Sequence, residues 1–196
     1  MTPDLPRHQG QRQQLLALLR GKGIKNERVL EAMGRIPRHA FLESSFEEFA
    51  YQDIAFPIAA GQTISQPYTV AFQSDALGLP EGAKILEIGT GSGYQAAVLE
   101  EMGYRVYTIE RQKALFDFSK RLLDELGYRR IQQKFGDGYK GLPSFAPFDG
   151  ILITAAAPEL PQDLLAQLAP EGVLVVPVGE VEAEQRMLRV RRGPDM

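Results

Sequence analysis

The sequence predicts an α/β fold: a doubly wound, mostly parallel sheet with helices on both faces, preceded by an N-terminal helical extension. Three observations predict it. From Lys84 onward, short apolar runs alternate with helical segments, the spacing of βαβ units. The first of those runs, KILEI at 84–88, ends in the glycine-rich turn GTGSG and then a helix-forming stretch. The next run closes on an acid, Glu110, 17 residues after Gly93, where doubly wound folds place a ribose-binding carboxylate.

The elements follow in order. Residues 11–19 (QRQQLLALL) combine helix formers with an apolar stripe, and 25–33 (KNERVLEAM) repeat the spacing with Asn26 as the cap. The aromatic stretch IPRHAFLESSFEEFAYQDIAFPI fits neither period and reads as short helix and loop covering something. In GQTISQPYTV, 61–70, Pro67 suits the first turn of a helix running on through VAFQSDAL. Past 84–88, residues 94–102 read as helix and YRVYTIE (104–110) as strand. Residues 112–126 read as an amphipathic helix stopped at Gly127. RIQQKF (130–135) is a third strand, followed by GDG. FDGILIT (148–154) is a fourth, LPQDLLAQLA (160–169) a helix, and GVLVVPVG (172–179) a fifth strand that Pro177 places near its end. The arginines of RMLRVRR (186–192) sit on the outer face and rim of a late strand. The whole, 1–196, reads as a single domain: a helical and loop cover over 1–80 and a cofactor-binding core over 81–196.

Composition narrows the function. Net charge is −3, from 22 basic and 25 acidic residues, a poor footprint for a nucleic-acid binder. There are no cysteines, which removes disulfides, thiolate nucleophiles and cysteine zinc sites and suits a reducing compartment. No apolar run is long enough to span a bilayer, and the opening residues lack the apolar segment of a secretory signal. The expectation is a cytoplasmic protein. The two histidines, His8 and His39, have no partners at metal-ligand spacing and read as surface or packing residues, so no metal is expected.

The glycine turn, Gly89-Thr90-Gly91-Ser92-Gly93, opens a helix after a strand, a setting in which backbone N–H groups meet a nucleotide. Its spacing is GxGxG rather than GxGxxG, and no GxxxxGK[ST] is present. Glu87 stands two residues before the first glycine. A carboxylate there repels a pyrophosphate and attracts a sulfonium, which favours S-adenosylmethionine over NAD. Glu110 fits either nucleoside. Asp137, after the third strand, either meets an adenine amino group or makes an Asx-turn, and local sequence does not choose.

LEIGTGSGY, YTIER, GDG, PFDGILITAAAPELP and LAPEGVLVVPVG, with TISQPY upstream, resemble the protein-L-isoaspartate (D-aspartate) O-methyltransferases from about residue 23 to 192. TISQPY and TAAAPELP carry most of the specificity. The resemblance implies an S-adenosylmethionine-dependent enzyme, with S-adenosylhomocysteine as product. It methylates the free carboxylate of L-isoaspartyl residues in aged proteins and peptides, and the ester closes to a succinimide. It implies that Thr63, Ile64 and Ser65 join cofactor and substrate sites, with Ser65 the active-site serine, and that Tyr68 lies near the cofactor. It implies cofactor contacts from Glu87, Gly89, Glu110, Arg111, Asp137 and Gly138, extended here to the whole glycine turn. Thr154, Ala155 and Ala156 then flank the methyl acceptor. Relatives carry a further strand after the arginine-rich one, where this sequence reads RRGPDM.

The chemistry suits these residues. A carboxylate with a pKa of about 4 is already ionised at pH 7, so no strong base is needed. Ser65, just ahead of the Pro67 helix, is expected to orient the acceptor carboxylate beside a positive helix end. The alternative is that Ser65 only caps that helix. Rival functions are a small-molecule or RNA methyltransferase, an NAD-dependent oxidoreductase and a silent binding module. The expected partners are isoaspartyl proteins and peptides, bound by a monomer, with no nucleic acid and no membrane.

Overall fold

The computed structural model describes residues 3–155, 157–179 and 186–194. It opens with two helices, α1 (Pro6–Gly21) and α2 (Glu27–Arg35). α1 starts ahead of its apolar stripe because Pro6 presets the φ of a first helical residue. Asn26 caps α2, its side chain accepting from Arg28 N at 3.1 Å. The aromatic segment folds as two 3₁₀ turns, Arg38–Phe41 and Ser44–Phe49. A small hairpin follows, β1 (Phe56–Pro57) antiparallel to β2 (Thr63–Ile64). α3 (Pro67–Leu77) begins with its proline and ends at Gly78 in the left-handed conformation.

Strands and helices then alternate: β3 (Lys84–Ile88), α4 (Tyr94–Glu101), β4 (Arg105–Glu110), α5 (Lys113–Glu125), β5 (Gln132–Phe135), β6 (Phe148–Ile153), α6 (Gln162–Leu165), β7 (Leu168–Val178) and β8 (Arg186–Arg191). The sheet order is β5-β4-β3-β6-β7-β8, parallel throughout except for β8, which runs against β7. The chain enters mid-sheet at β3, winds out to β5, then crosses to β6 and winds the other way. That reversal opens a crevice at the strand ends. Side chains alternate across the sheet. Ile85, Leu152, Val173 and Val175 join one core with α2, α4 and the N-terminal cover, while Leu86, Ile151, Leu174 and Val176 join a second.

Two expectations shift. The helix read over 160–169 shrinks to the four residues of α6, and the following strand starts at Leu168 rather than at 172. Pairing decides this: Phe148 N donates to Gln167 O at 2.9 Å and Phe148 lies opposite Leu168, so the sheet captures residues of helical composition. Pro177 is the penultimate residue of β7, as read, and its carbonyl accepts from Ala157 N. The arginine-rich run is β8, at the sheet edge. From it, Arg189 Nε donates to Ala76 O of α3 at 2.6 Å.

Candidate active site

The C-terminal ends of β3, β4, β5 and β6 open onto one cavity of about 340 Å³. After β3 it is lined by Ile88, Gly89 and Gly91; after β4 by Glu110, Arg111 and Gln112; after β5 by Asp137, Gly138 and Tyr139; after β6 by Thr154 and Ala155. The opposite wall comes from the β2 hairpin, through Gln62, Thr63 and Ser65. A side cavity of about 40 Å³ shares Thr63, Ser65, Gly89, Gly91 and Thr154, and adds Ile64, Glu87, Thr90 and Ser92.

The cofactor wall is mostly backbone. Gly89 has φ +92, and a Cβ there would sit 2.7 Å from Thr154 Oγ1. A Cβ on Gly138 would sit 2.5 Å from Ile88 Cγ2. Neither residue has room for a side chain, which leaves bare main chain at these two points of the wall. Glu110 holds the two loops beside it: Oε2 accepts from Gly91 N at 2.9 Å and Oε1 from Gln112 N at 2.8 Å. Each oxygen keeps a second lone pair for a hydroxyl. Thr154 Oγ1 donates to the carbonyls of Ile88 and Gly89, at 3.0 and 2.9 Å, locking the ends of β3 and β6 together. Asp137 lines the cavity and also accepts from Tyr139 N at 3.0 Å, so the Asx-turn and the cavity position coexist.

Glu87 is fully buried. Its Oε2 accepts from Thr108 Oγ1 at 2.6 Å, and its Oε1 has no partner. Burial pushes its pKa up to about 8; the Thr108 hydrogen bond opposes this and the Glu110 charge adds to it. At neutral pH the unliganded carboxyl is therefore mostly protonated, which revises the expectation of a standing negative charge. An unpartnered buried carboxyl oxygen still fits a cationic ligand: a positive charge in this cavity favours the ionised form. Together with the bare-backbone wall and Glu110, these residues fit an adenosyl cofactor carrying a sulfonium.

On the acceptor wall, the N-cap of α3 is Gln66, not Ser65. Among the described residues Ser65 Oγ makes no hydrogen bond, so the capping alternative loses its support. The helix-end expectation also needs correction. Pro67 has no N–H, and Tyr68 N is taken by Asp53 Oδ1 at 2.7 Å, so a carboxylate already occupies the start of α3. Gln66 Nε2 donates to Asp53 O at 3.0 Å, and Lys22 Nζ pairs with Asp53 Oδ2 at 2.6 Å.

Of the residues the sequence singles out, Tyr68 and Gly93 line neither cavity. The Tyr68 ring packs on Phe72 with Lys22 above it, and Gly93 serves as the left-handed N-cap of α4. Ala156 lies outside the described residues. Sequence reading misses Gln62, Gln112, Tyr139, Pro161 and Leu164; Gln112 and Tyr139 follow strands and Pro161 ends TAAAPELP, while Gln62, ahead of β2, and Leu164, in α6, carry no such signal. His8, expected in a polar surface segment, is buried and stacked on His39 with centroids 3.9 Å apart. His8 Nε2 meets Glu47 and His39 Nδ1 meets Tyr51, and neither histidine lines either of these two cavities.

Comparisons with known proteins point to one family. The family model described as protein-L-isoaspartate(D-aspartate) O-methyltransferase matches residues 10–196. A protein-L-isoaspartate O-methyltransferase of Flavobacterium psychrophilum is 61% identical over 90% of this chain and 83% of that relative. One of Christiangramia forsetii is 61% identical over 97% and 89%. Among solved structures, a protein-L-isoaspartate O-methyltransferase superposes with a TM-score of 0.84 at 30% identity, covering 93% of this chain and 60% of that one. A Plasmodium falciparum structure, titled as a beta-aspartate methyltransferase in complex with S-adenosyl-L-homocysteine, gives 0.75 at 24% identity over 93% and 94%, a likeness of fold.

Proposed function

The chain belongs to the protein-L-isoaspartate (D-aspartate) O-methyltransferase family, and we propose how its residues carry out that family's reaction. The activity is S-adenosylmethionine-dependent methyl transfer to the free carboxylate of an L-isoaspartyl residue in a damaged protein or peptide. The ester then closes to a succinimide. When bound, S-adenosylmethionine supplies a methyl group activated by its sulfonium.

The chain's residues do the rest. Gly89, Gly91 and Gly138 let main chain approach the cofactor, with Thr90, Ser92 and Gly93 shaping the turn. Glu110, Arg111 and Asp137 meet its nucleoside, and Glu87 favours its cationic end. Ser65 donates a hydrogen bond to the acceptor carboxylate, with Thr63, Ile64, Thr154 and Ala155 closing the space where acceptor and methyl meet. No base is required, because the acceptor is already ionised, and positioning with exclusion of water supplies the rate. The observation that carries this reading is that the hairpin with its uncommitted Ser65 hydroxyl and the backbone cofactor wall line one cavity.

The finer reading is a cytoplasmic monomer of one domain that binds no nucleic acid. The net charge of −3 supports it, as does a core shared between residues 1–80 and 81–196. Among the described residues no helix is long and apolar enough to cross a membrane. The deciding experiment is transfer of labelled methyl from S-adenosylmethionine to an isoaspartyl peptide and to its normal aspartyl counterpart. Label enters the isoaspartyl peptide selectively; equal label in both, or label only in added RNA, overturns the reading.

A further inference from the structure

Arg38 lies in the aromatic segment that sequence patterning leaves unassigned. It is fully buried and, among the described residues, makes no ion pair. Its Nε donates to Ala50 O at 2.9 Å and one terminal nitrogen donates to Ser65 O at 2.9 Å. The guanidinium lies 4.7 Å from the Tyr94 ring centroid. The other terminal nitrogen, Nη1, has no partner. The Tyr94 and Tyr51 hydroxyls favour its charged form most, and the one carboxylate acting on it is Asp53, which is already engaged by Lys22 and by Tyr68 N.

An unpaired cation in a protein interior carries a large desolvation cost. Burial pulls the Arg38 pKa below its ordinary value, yet a guanidinium remains charged at neutral pH. A methionine would fill the same space without that cost. The placement therefore calls for an anion, and the described residues supply none that is free. One position beside Arg38 fits: Ser65 lines the cavity where the acceptor carboxylate is read to lie.

We propose that Arg38 is a positioning residue of the acceptor subsite. Its hydrogen bond fixes the Ser65 backbone, and its charge, only partly offset by Asp53, selects a carboxylate over a neutral group at the Ser65 hydroxyl. This rests on the reading of Ser65 given above. Arg38 itself touches Ser65 and not the reacting atoms. The work attributed to a helix dipole thus moves to a buried side chain, since Asp53 occupies the helix end. In a low-dielectric interior a single charge acts over several ångströms.

The test compares binding of an isoaspartyl peptide with that of the same peptide carrying a primary amide in place of the free carboxylate. Both are titrated calorimetrically against full-length protein saturated with S-adenosylhomocysteine. The natural chain prefers the carboxylate by at least about tenfold. In Arg38→Met that preference collapses, in Arg38→Lys much of it survives, and in Asp53→Asn it grows. S-adenosylhomocysteine affinity stays unchanged in all three. A purely structural role weakens both peptides alike and leaves the preference intact, which overturns the proposal. If Arg38→Met does not fold, Arg38→Lys and Asp53→Asn decide it: loss of the preference with lysine, or no gain with asparagine, overturns it. A natural chain with no preference for the carboxylate would instead sink the reading of Ser65.

Discussion

The two walls of the cavity are held in opposite ways. The cofactor wall hangs on a parallel sheet, and its anchors join neighbouring strand ends: Glu110 to Gly91 and Gln112, Thr154 to Ile88 and Gly89. The acceptor wall is a two-residue hairpin and a helix start, too short to hold themselves. Buried ionisable side chains hold them from outside the hairpin, Arg38 at the Ser65 carbonyl and Asp53 at Tyr68 N, while the Asp53 carbonyl accepts from Gln66. A backbone ladder suits a ligand whose shape never varies. A wall set by side-chain charge suits an acceptor whose defining feature is one misplaced carboxylate.

Three substitutions test that contrast, and the largest effect belongs to the ladder side. Gly89→Ala adds a Cβ that meets Thr154 Oγ1 at 2.7 Å on a backbone with positive φ. It should weaken S-adenosylhomocysteine binding roughly a hundredfold by calorimetry. If affinity holds, backbone approach does not define that wall. Next is Ser65→Ala. Turnover on an isoaspartyl peptide should fall by roughly ten- to a hundredfold. The melting temperature should stay near that of the natural chain, because Ser65 Oγ makes no hydrogen bond among the described residues. Normal turnover with a lowered melting temperature would show that the serine only supports the fold.

The smallest effect is at Glu87, whose pKa rises from 4.5 to about 8 on folding. The folded protein holds this proton where the unfolded chain has lost it. Its stabilising contribution is therefore full below about pH 4.5 and is lost as pH rises to about 8. Glu87→Gln should flatten that part of the stability curve, read by denaturant unfolding from pH 5 to 9. The same proton governs ligand choice. S-adenosylmethionine affinity should rise several-fold with pH across about 8, more than that of uncharged-sulfur S-adenosylhomocysteine. With glutamine the two should run parallel; a persistent divergence removes Glu87 from the site's electrostatics.

The same contrast explains what the sequence shows and what it hides. Strands 84–88, 105–110 and 148–153 are legible because burial on both sheet faces makes apolar runs, and glycines mark the turn. The residues of TISQPY are legible as unusual, but what holds them is not. Arg38 and Ser65 are 27 positions apart, and a guanidinium bonding a carbonyl leaves no periodicity. His8 and His39 hide in the same way, since a stacked pair from two segments has no local signature. Leu168 misleads in the other direction: LLAQLA has helical composition, and only pairing with Phe148 assigns it to a strand.

The bond from Arg189 to the carbonyl of Ala76 spans 113 residues. It ties the far end of α3, the helix that starts beside Ser65, to β8. Closing so long a loop has an entropic cost that is recovered only once the sheet exists to receive it. On a growing chain, the glycine turn can meet its own strand and helix soon after they emerge. The helix beside the acceptor hairpin is tied at its far end to Asn26 early, but it gains its bond from the sheet edge only with β8, so the ability to hold a cofactor can precede full fastening of the wall that recognises damage.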